Sequence, residues 1–322
     1  MYRPLLGKLA ILADANVFTV DYRLAPDHPF PTALEDALAA YMYLLDPPKD
    51  ALFDPIPSSQ IVISGDSAGG GLTMSLLICI RDSGLPMPAG AIPISPWLDL
   101  THSLPSCRTN QMTDYLPNVF NSLKKASPLK DTDEEKQDDM LFYGVLDETL
   151  EQIHLYTHNR CLKHPLVSPL FDRYRWHGLP PLLIQTGDAE QLRDESICAS
   201  FKATDQFSDG PPSLDSTTHL KRLPLTQVTL DLYDDQPHVF QLLMPSKSVE
   251  RSIHTMAAFL SDIESNKQQQ QEPLTIRSVA HDGQVQDVTK DMIKIHAGDT
   301  WQDWEDRLDN TSLKSRFQQA RL

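Results

Sequence analysis

The chain has 322 residues, enough for one large α/β domain or two small ones and for a sizeable buried core. Lys+Arg 28 against Asp+Glu 44 gives a formal net charge of −16, which argues against a nucleic-acid partner or an anionic membrane surface. The sequence has no apolar run of the ~18 residues that a membrane-spanning helix requires.

Four cysteines, Cys79, Cys107, Cys161 and Cys198, are scattered without the spacing of a metal motif. They read as thiols of a reducing compartment rather than a disulfide framework. Met1-Tyr2-Arg3-Pro4 lacks the apolar stretch of a signal peptide, so a cytoplasmic location is expected.

Leu5 to Ala13 is apolar at helical spacing, and Val17-Phe18-Thr19-Val20 has the β-branched and aromatic content of a strand. Asp21 to Pro31 holds three prolines in its last six residues and reads as a rigid loop. From Thr32, residues Leu34, Ala37, Leu38, Tyr41, Leu44 and Leu45 share one helical face, with Thr32 as N-cap and Glu35 three later as a capping box.

Ile61-Val62-Ile63 reads as a buried strand that stops at Gly65-Asp66-Ser67-Ala68-Gly69, after which a helical pattern runs to Arg81. Gly-x-Ser-x-Gly between a strand and a helix is the layout of a nucleophile elbow, a turn tight enough to need small neighbours that lifts the serine hydroxyl clear of the sheet edge. The helix N-terminus, Ala68 N–H first, then points at any negative charge growing beside Ser67.

The βαβα alternation predicts an α/β fold with a mostly parallel sheet covered by helices. Ala89 to Ser95 is the next strand. From about 100 to 165 the periodicity dissolves. This stretch reads as a lid-like insertion over the active face, with a solvated charge run from Asp131 to Asp139 and Met140 to Tyr143 as lid contacts. Pro180 to Gln185 is a strand, Leu192 to Lys202 a helix, Asp205 to Leu220 a surface loop, and Val228 to Tyr233 the last strand. A helix from about Ser246 to Ser265 closes a domain spanning 1–265. Residues 266–322 read as a Gln-rich linker and a mostly disordered tail, with Trp301, Trp304 and Leu308 at helical spacing.

A serine hydroxyl is a poor nucleophile at neutral pH and needs a base, and a carboxylate to hold that base in its working tautomer. Among eleven histidines, His238 alone follows the final predicted strand by a few residues. The acid lies in Gly187 to Glu195, where Asp188 and Glu190 both stand in reach of His238, while Asp194 and Glu195 read as first-turn helix charges.

These residues carry a resemblance. Asp21-Tyr22-Arg23-Leu24-Ala25-Pro26-Asp27-His28-Pro29-Phe30-Pro31, Gly65-Asp66-Ser67-Ala68-Gly69-Gly70, the acid loop and Pro237-His238-Val239-Phe240 together resemble the hormone-sensitive-lipase-like family of α/β-hydrolases, in its fungal form, from about Arg3 to Phe259. The resemblance implies an α/β-hydrolase fold and hydrolysis of small hydrophobic carboxylic esters through an acyl-serine, without a cofactor or metal. Position by position it makes Ser67 the nucleophile, His238 the base and Glu190 the acid where aspartate is commoner, with Asp188 the alternative acid. The family's His-Gly-Gly-Gly loop, which supplies oxyanion amides, is not found ahead of Val17, so Ala68 N–H is the oxyanion donor that remains. Two expectations follow: that Met1 is an internal methionine of a longer chain lacking its first strands here, and that a catalytically inert scaffold is the alternative to an esterase.

Overall fold

The computed structural model describes residues 2–117, 155–206, 223–265, 272–296 and 299. The Asp131–Asp139 charge run, Met140 to Tyr143 and the Trp301/Trp304/Leu308 stretch lie outside them, as does most of the loop read at Asp205 to Leu220.

A six-stranded sheet runs through the molecule in the order β1 (Val62–Asp66), β2 (Gly90–Ile94), β3 (Leu182–Gly187), β4 (Val228–Tyr233), β5 (Leu274–Val279), β6 (Val285–Asp287). β1 to β5 are mutually parallel and β6 returns antiparallel against β5. β2 and β3 are buried at every position. Their near-continuous apolar runs are what a parallel strand covered on both faces requires.

Helices cover both faces. On one, α3 (Ala68–Asp82) contributes Met74, Leu77 and Ile78, and α5 (Arg193–Ala203) contributes Ile197, Ala199 and Phe201. Both pack on Ala91, Leu182, Ile184, Leu230 and Ile276 of the sheet. α2 (Thr32–Leu45) lies outside α3, its Leu34 and Tyr41 meeting Leu76 and Ile80. On the opposite face α6 (Lys247–Glu264) brings Val249, Ile253, Met256 and Phe259 onto Ile92, Leu183 and Tyr233, with Leu5 and Leu9 of α1 (Arg3–Ala13) added at its edge. Ser246 caps α6, its Oγ accepting from Val249 N–H at 3.2 Å. A four-residue helix, α4 (Ser106–Thr109), follows β2, and α7 (Thr289–Ile295) follows β6.

Four expectations are corrected. Val17–Val20 is extended but pairs with no strand among the described residues, and Val17, Phe18 and Val20 stay exposed. β-branched content favours a strand only where a neighbouring ladder takes its N–H and C=O groups, and among the described residues β1 is bonded on its β2 side alone. For the same reason β1 is half-buried rather than fully buried. Thr32 is the first helical residue and not the cap: Pro31 occupies the cap position, and its carbonyl accepts from Leu34 and Glu35 N–H.

The largest correction concerns the residues after 265. Val228–Tyr233 is not the last strand. β5 pairs with β4 from Val228↔Leu274 to Tyr233↔Val279, so 274–287 extends the sheet and a helix follows, where the sequence reads as a mostly disordered tail. Alternation over six residues is a weak signal alone, but the open edge of β4 supplies both a hydrogen-bond ladder and an apolar floor.

Ile276 is fully buried in that core. Ile276→Ala is expected to lower the unfolding free energy in urea by about 2–5 kcal/mol, as for a core truncation. A loss below ~0.5 kcal/mol would mean that this strand contributes nothing to the fold.

Candidate active site

Parallel strands deliver their C-terminal ends to one side of a sheet, and the predicted residues all follow such ends. Ser67 follows β1 directly, in the strained conformation φ 54°, ψ −120°, a geometry that costs on the order of 1–3 kcal/mol for a residue with a Cβ. Gly65 permits the turn, since a Cβ there would lie 2.3 Å from the Gly69 carbonyl oxygen. Ser67 N–H donates to Ile94 O at 2.9 Å, and its carbonyl accepts from Trp97 N–H and Gly71 N–H, both at 3.0 Å. Ala68 opens α3, so its N–H has no acceptor within the helix.

His238 follows β4 after a turn and is buried. Its Nε2 lies 2.8 Å from Ser67 Oγ, a hydrogen bond joining the two residues that the sequence singled out. Glu190, fully buried, comes from the loop after β3. Its Oε1 stands 3.8 Å from His238 Nδ1, beyond hydrogen-bond range, and neither atom has another hydrogen-bond partner. The other oxygen, Oε2, accepts from Ser95 Oγ at 2.7 Å and Gly187 N–H at 3.0 Å. The structure thus brings Ser67, His238 and Glu190 together. Asp188, the alternative acid, is engaged elsewhere, its Oδ1 accepting from Asp235 N–H at 2.7 Å.

Several residues at the site have no sequence signal. Ser95, buried just after β2, donates to Glu190 and accepts from Val239 N–H at 3.1 Å, so one hydroxyl ties Glu190 to the loop of His238. Asp114 makes a second such tie, Oδ1 accepting from His238 N–H at 3.1 Å and Oδ2 from Gln191 N–H at 2.8 Å. Asn110 Nδ2 donates to the carbonyls of Asp188 and Glu190, and Tyr115 lies against the His238 ring at 6.2 Å. Ser95 stands at the end of a predicted strand, and its small polar side chain is the one available hint. Asp114 sits in the aperiodic insertion, where pattern carries no information.

Asp194 and Glu195 do occupy the first turn of α5 but are tied to other loops. Asp194 Oδ2 accepts from Ser106 N–H, and Glu195 Oε2 accepts from Leu98 and Asp99 N–H. The four cysteines form no disulfide with one another, and three of them are buried.

Beside Ser67, Asp66 accepts from Tyr2 Oη at 3.0 Å. Burial pushes the Asp66 carboxyl above its usual range, against the opposing pull of the Tyr2 hydrogen bond and His238. Burial, followed by the Asp66 charge, pushes the Tyr2 hydroxyl up to about 12.

A family profile described as the alpha/beta hydrolase fold matches residues 1–206. The chain belongs to this family. Ser67 and Glu190 fall within the matched residues, and His238 lies beyond them. An acetyl-hydrolase of Streptomyces hygroscopicus is 34% identical over 195 residues, 61% of this chain and 53% of that protein. The mouse hormone-sensitive lipase is 26% identical over 243 residues, 74% of this chain and 31% of the other. Among solved structures, an esterase/lipase from an uncultured bacterium is similar with a TM-score of 0.56 at 33% identity, covering 82% of this chain and 71% of that one. A hormone-sensitive lipase from a metagenome library gives 0.59 at 29%, covering 81% and 70%. The chain spans about half the length of the curated relatives it matches first, 53% to 56%. The resemblance read from the motifs is therefore borne out for this α/β-hydrolase chain.

The Asp66 shift sets a pH dependence. Its folded-state carboxyl binds the proton more tightly than the unfolded chain does, so the stability it contributes is present below the ordinary value of 3.8 and is lost as pH rises through the raised folded value. Asp66→Asn is expected to lose less unfolding free energy than the native chain between about pH 4 and pH 7 in urea titrations. Equal slopes for the two proteins would contradict it.

Proposed function

We propose that this chain hydrolyses small hydrophobic carboxylic esters through an acyl-serine intermediate. The observation that carries this reading is the 2.8 Å contact of Ser67 Oγ with His238 Nε2 on a strained strand-to-helix turn. Relatives named esterase, acetyl-hydrolase and carboxylesterase support the substrate class.

In this mechanism Ser67 Oγ attacks the ester carbonyl carbon while His238 Nε2 takes its proton. The imidazolium returns that proton to the alcohol oxygen as the carbon–oxygen bond breaks. Water enters by the same route and frees the acid from the serine. Glu190 orients the imidazole and stabilises its charged form. Because Ser95 and Gly187 hold Oε2, swinging Oε1 about that fixed oxygen shortens the 3.8 Å gap toward the ~2.8 Å of a charge-assisted hydrogen bond. Active-site hydrogen bonds are often longer before substrate binds. Ser95 and Asp114 serve as positioning residues, each holding the loops of acid and base in register.

The oxyanion that develops on the carbonyl is received by Ala68 N–H. Loss of one oxyanion donor costs about a hundred- to a thousandfold in rate, so turnover is proposed to depend on that amide. The alternative is an inert scaffold of the same fold. Of the insertion spanning 100–165, we infer that its described part, through Tyr115 and Asp114, borders the mouth of the site.

Two measurements test the reading. A fluorophosphonate probe is expected to label Ser67, with labelling abolished in Ser67→Ala; an unlabelled native chain that is folded by circular dichroism would favour the scaffold. With p-nitrophenyl butyrate, the ester soaked into crystals of a similar esterase, Glu190→Gln is expected to lower kcat by about a thousand- to ten-thousandfold, whereas Asp188→Asn changes it little. A reversal of that order would transfer the acid role to Asp188.

A further inference from the structure

A second constellation lies behind the acid loop. His102, Cys107 and Glu195 are each buried, and one potential ligand atom from each lies within 4.8 Å of the others. Cys107 Sγ stands 3.8 Å from His102 Nδ1 and 3.9 Å from Glu195 Oε1. None of the three belongs to the Ser67, Glu190, His238 set.

We propose that His102 Nδ1, Cys107 Sγ and Glu195 Oε1 form a binding site for one zinc ion. The donor set is that of zinc: a thiolate, an imidazole and a carboxylate oxygen, which tetrahedral bonds of ~2.3 Å to sulfur and ~2.0–2.2 Å to nitrogen and oxygen would place about 3.5 Å apart. The two separations at Sγ need to contract by only a few tenths of an ångström, and the third, between imidazole and carboxylate, lies within 4.8 Å. The surroundings hold the ligands in place. Leu98 and Asp99 N–H fix Glu195 Oε2, at 2.5 and 2.9 Å, leaving Oε1 as the oxygen facing the sulfur. The His102 ring packs on Trp97 with centroids 5.3 Å apart, and its backbone N–H is anchored to Asp99 O at 3.1 Å. Partners of this kind orient metal ligands and raise affinity.

On binding, Cys107 gives up its thiol proton to solvent, so that a thiolate and a carboxylate meet the two charges of the ion. The three ligands found among the described residues leave one tetrahedral position for a further donor. The ion would clamp the segment after β2, which carries His102 and Cys107, to α5, whose N-terminal loop carries Glu190. It is a structural staple beside the proposed catalytic residues.

The test uses the full chain, reduced, loaded with zinc and dialysed. Elemental analysis is expected to find one zinc per chain, and zinc is expected to raise Tm of the native protein. Cobalt in its place is expected to show a thiolate-to-metal charge-transfer band. Cys107→Ser, nearly isosteric and able to keep the fold, removes that band. Cys107→Ser and His102→Asn each weaken zinc, in competition with a chromophoric chelator, by at least about a hundredfold, the upper end of what a lost outer partner costs. Substoichiometric zinc with no rise in Tm would overturn the proposal. So would native affinity in a Cys107→Ser variant whose circular dichroism matches the parent.

Discussion

A hydroxyl and an imidazole 171 residues apart in sequence meet at 2.8 Å, and the parallel sheet makes them neighbours. Neighbouring strands in register end side by side: Asp66 stands opposite Ile94 and Gly187 opposite Tyr233. The residues just beyond these ends, Ser67, Ser95 and Asp188, therefore share one rim, with the loops carrying Glu190 and His238 rising from it. The sheet sets where each loop begins. The loops themselves must then approach very closely, and Gly187 allows it, because a Cβ there would sit 2.0 Å from the Gln236 carbonyl oxygen.

Around this rim the described residues that follow β2, 95–117, are held largely by carboxyl groups. Asp99 gathers the N–H and hydroxyl groups of Thr101 and Ser103, and Glu195 takes the amides of Leu98 and Asp99. Asp194 takes that of Ser106, and Asp114 those of Gln191 and His238. An irregular backbone has no ladder for its amides, and a buried amide without a partner is costly. Carboxyl oxygens answer that need where no helix or strand can.

A second tie, farther from the site, uses the opposite arrangement. Arg81 of α3 and Asp172 form a bidentate buried pair at 3.0 Å, with Lys202 of α5 capping the Leu170 carbonyl alongside. Burial alone would raise the Asp172 carboxyl, but the Arg81 hydrogen bonds and charge hold it below the usual range. Removing either partner would strand a charge in the interior, which makes the pair a strong constraint on geometry even where its net contribution to stability is small.

The strand-turn-helix frame, the elbow at Ser67, the proposed base His238 and the family are legible in the residues, because each rests on a local rule: apolar period, turn chemistry or a short spacing after a strand. Glu190 needs the resemblance, since spacing alone leaves Asp188 equal to it. Tertiary structure decides the rest. Only pairing against β4 turns Leu274–Val279 into a strand, and Val17–Val20, with no pairing strand among the described residues, stays merely extended. Ser95, Asp114 and the meeting of His102, Cys107 and Glu195 join positions tens of residues apart, through hydrogen bonds and close packing that a one-dimensional pattern does not encode.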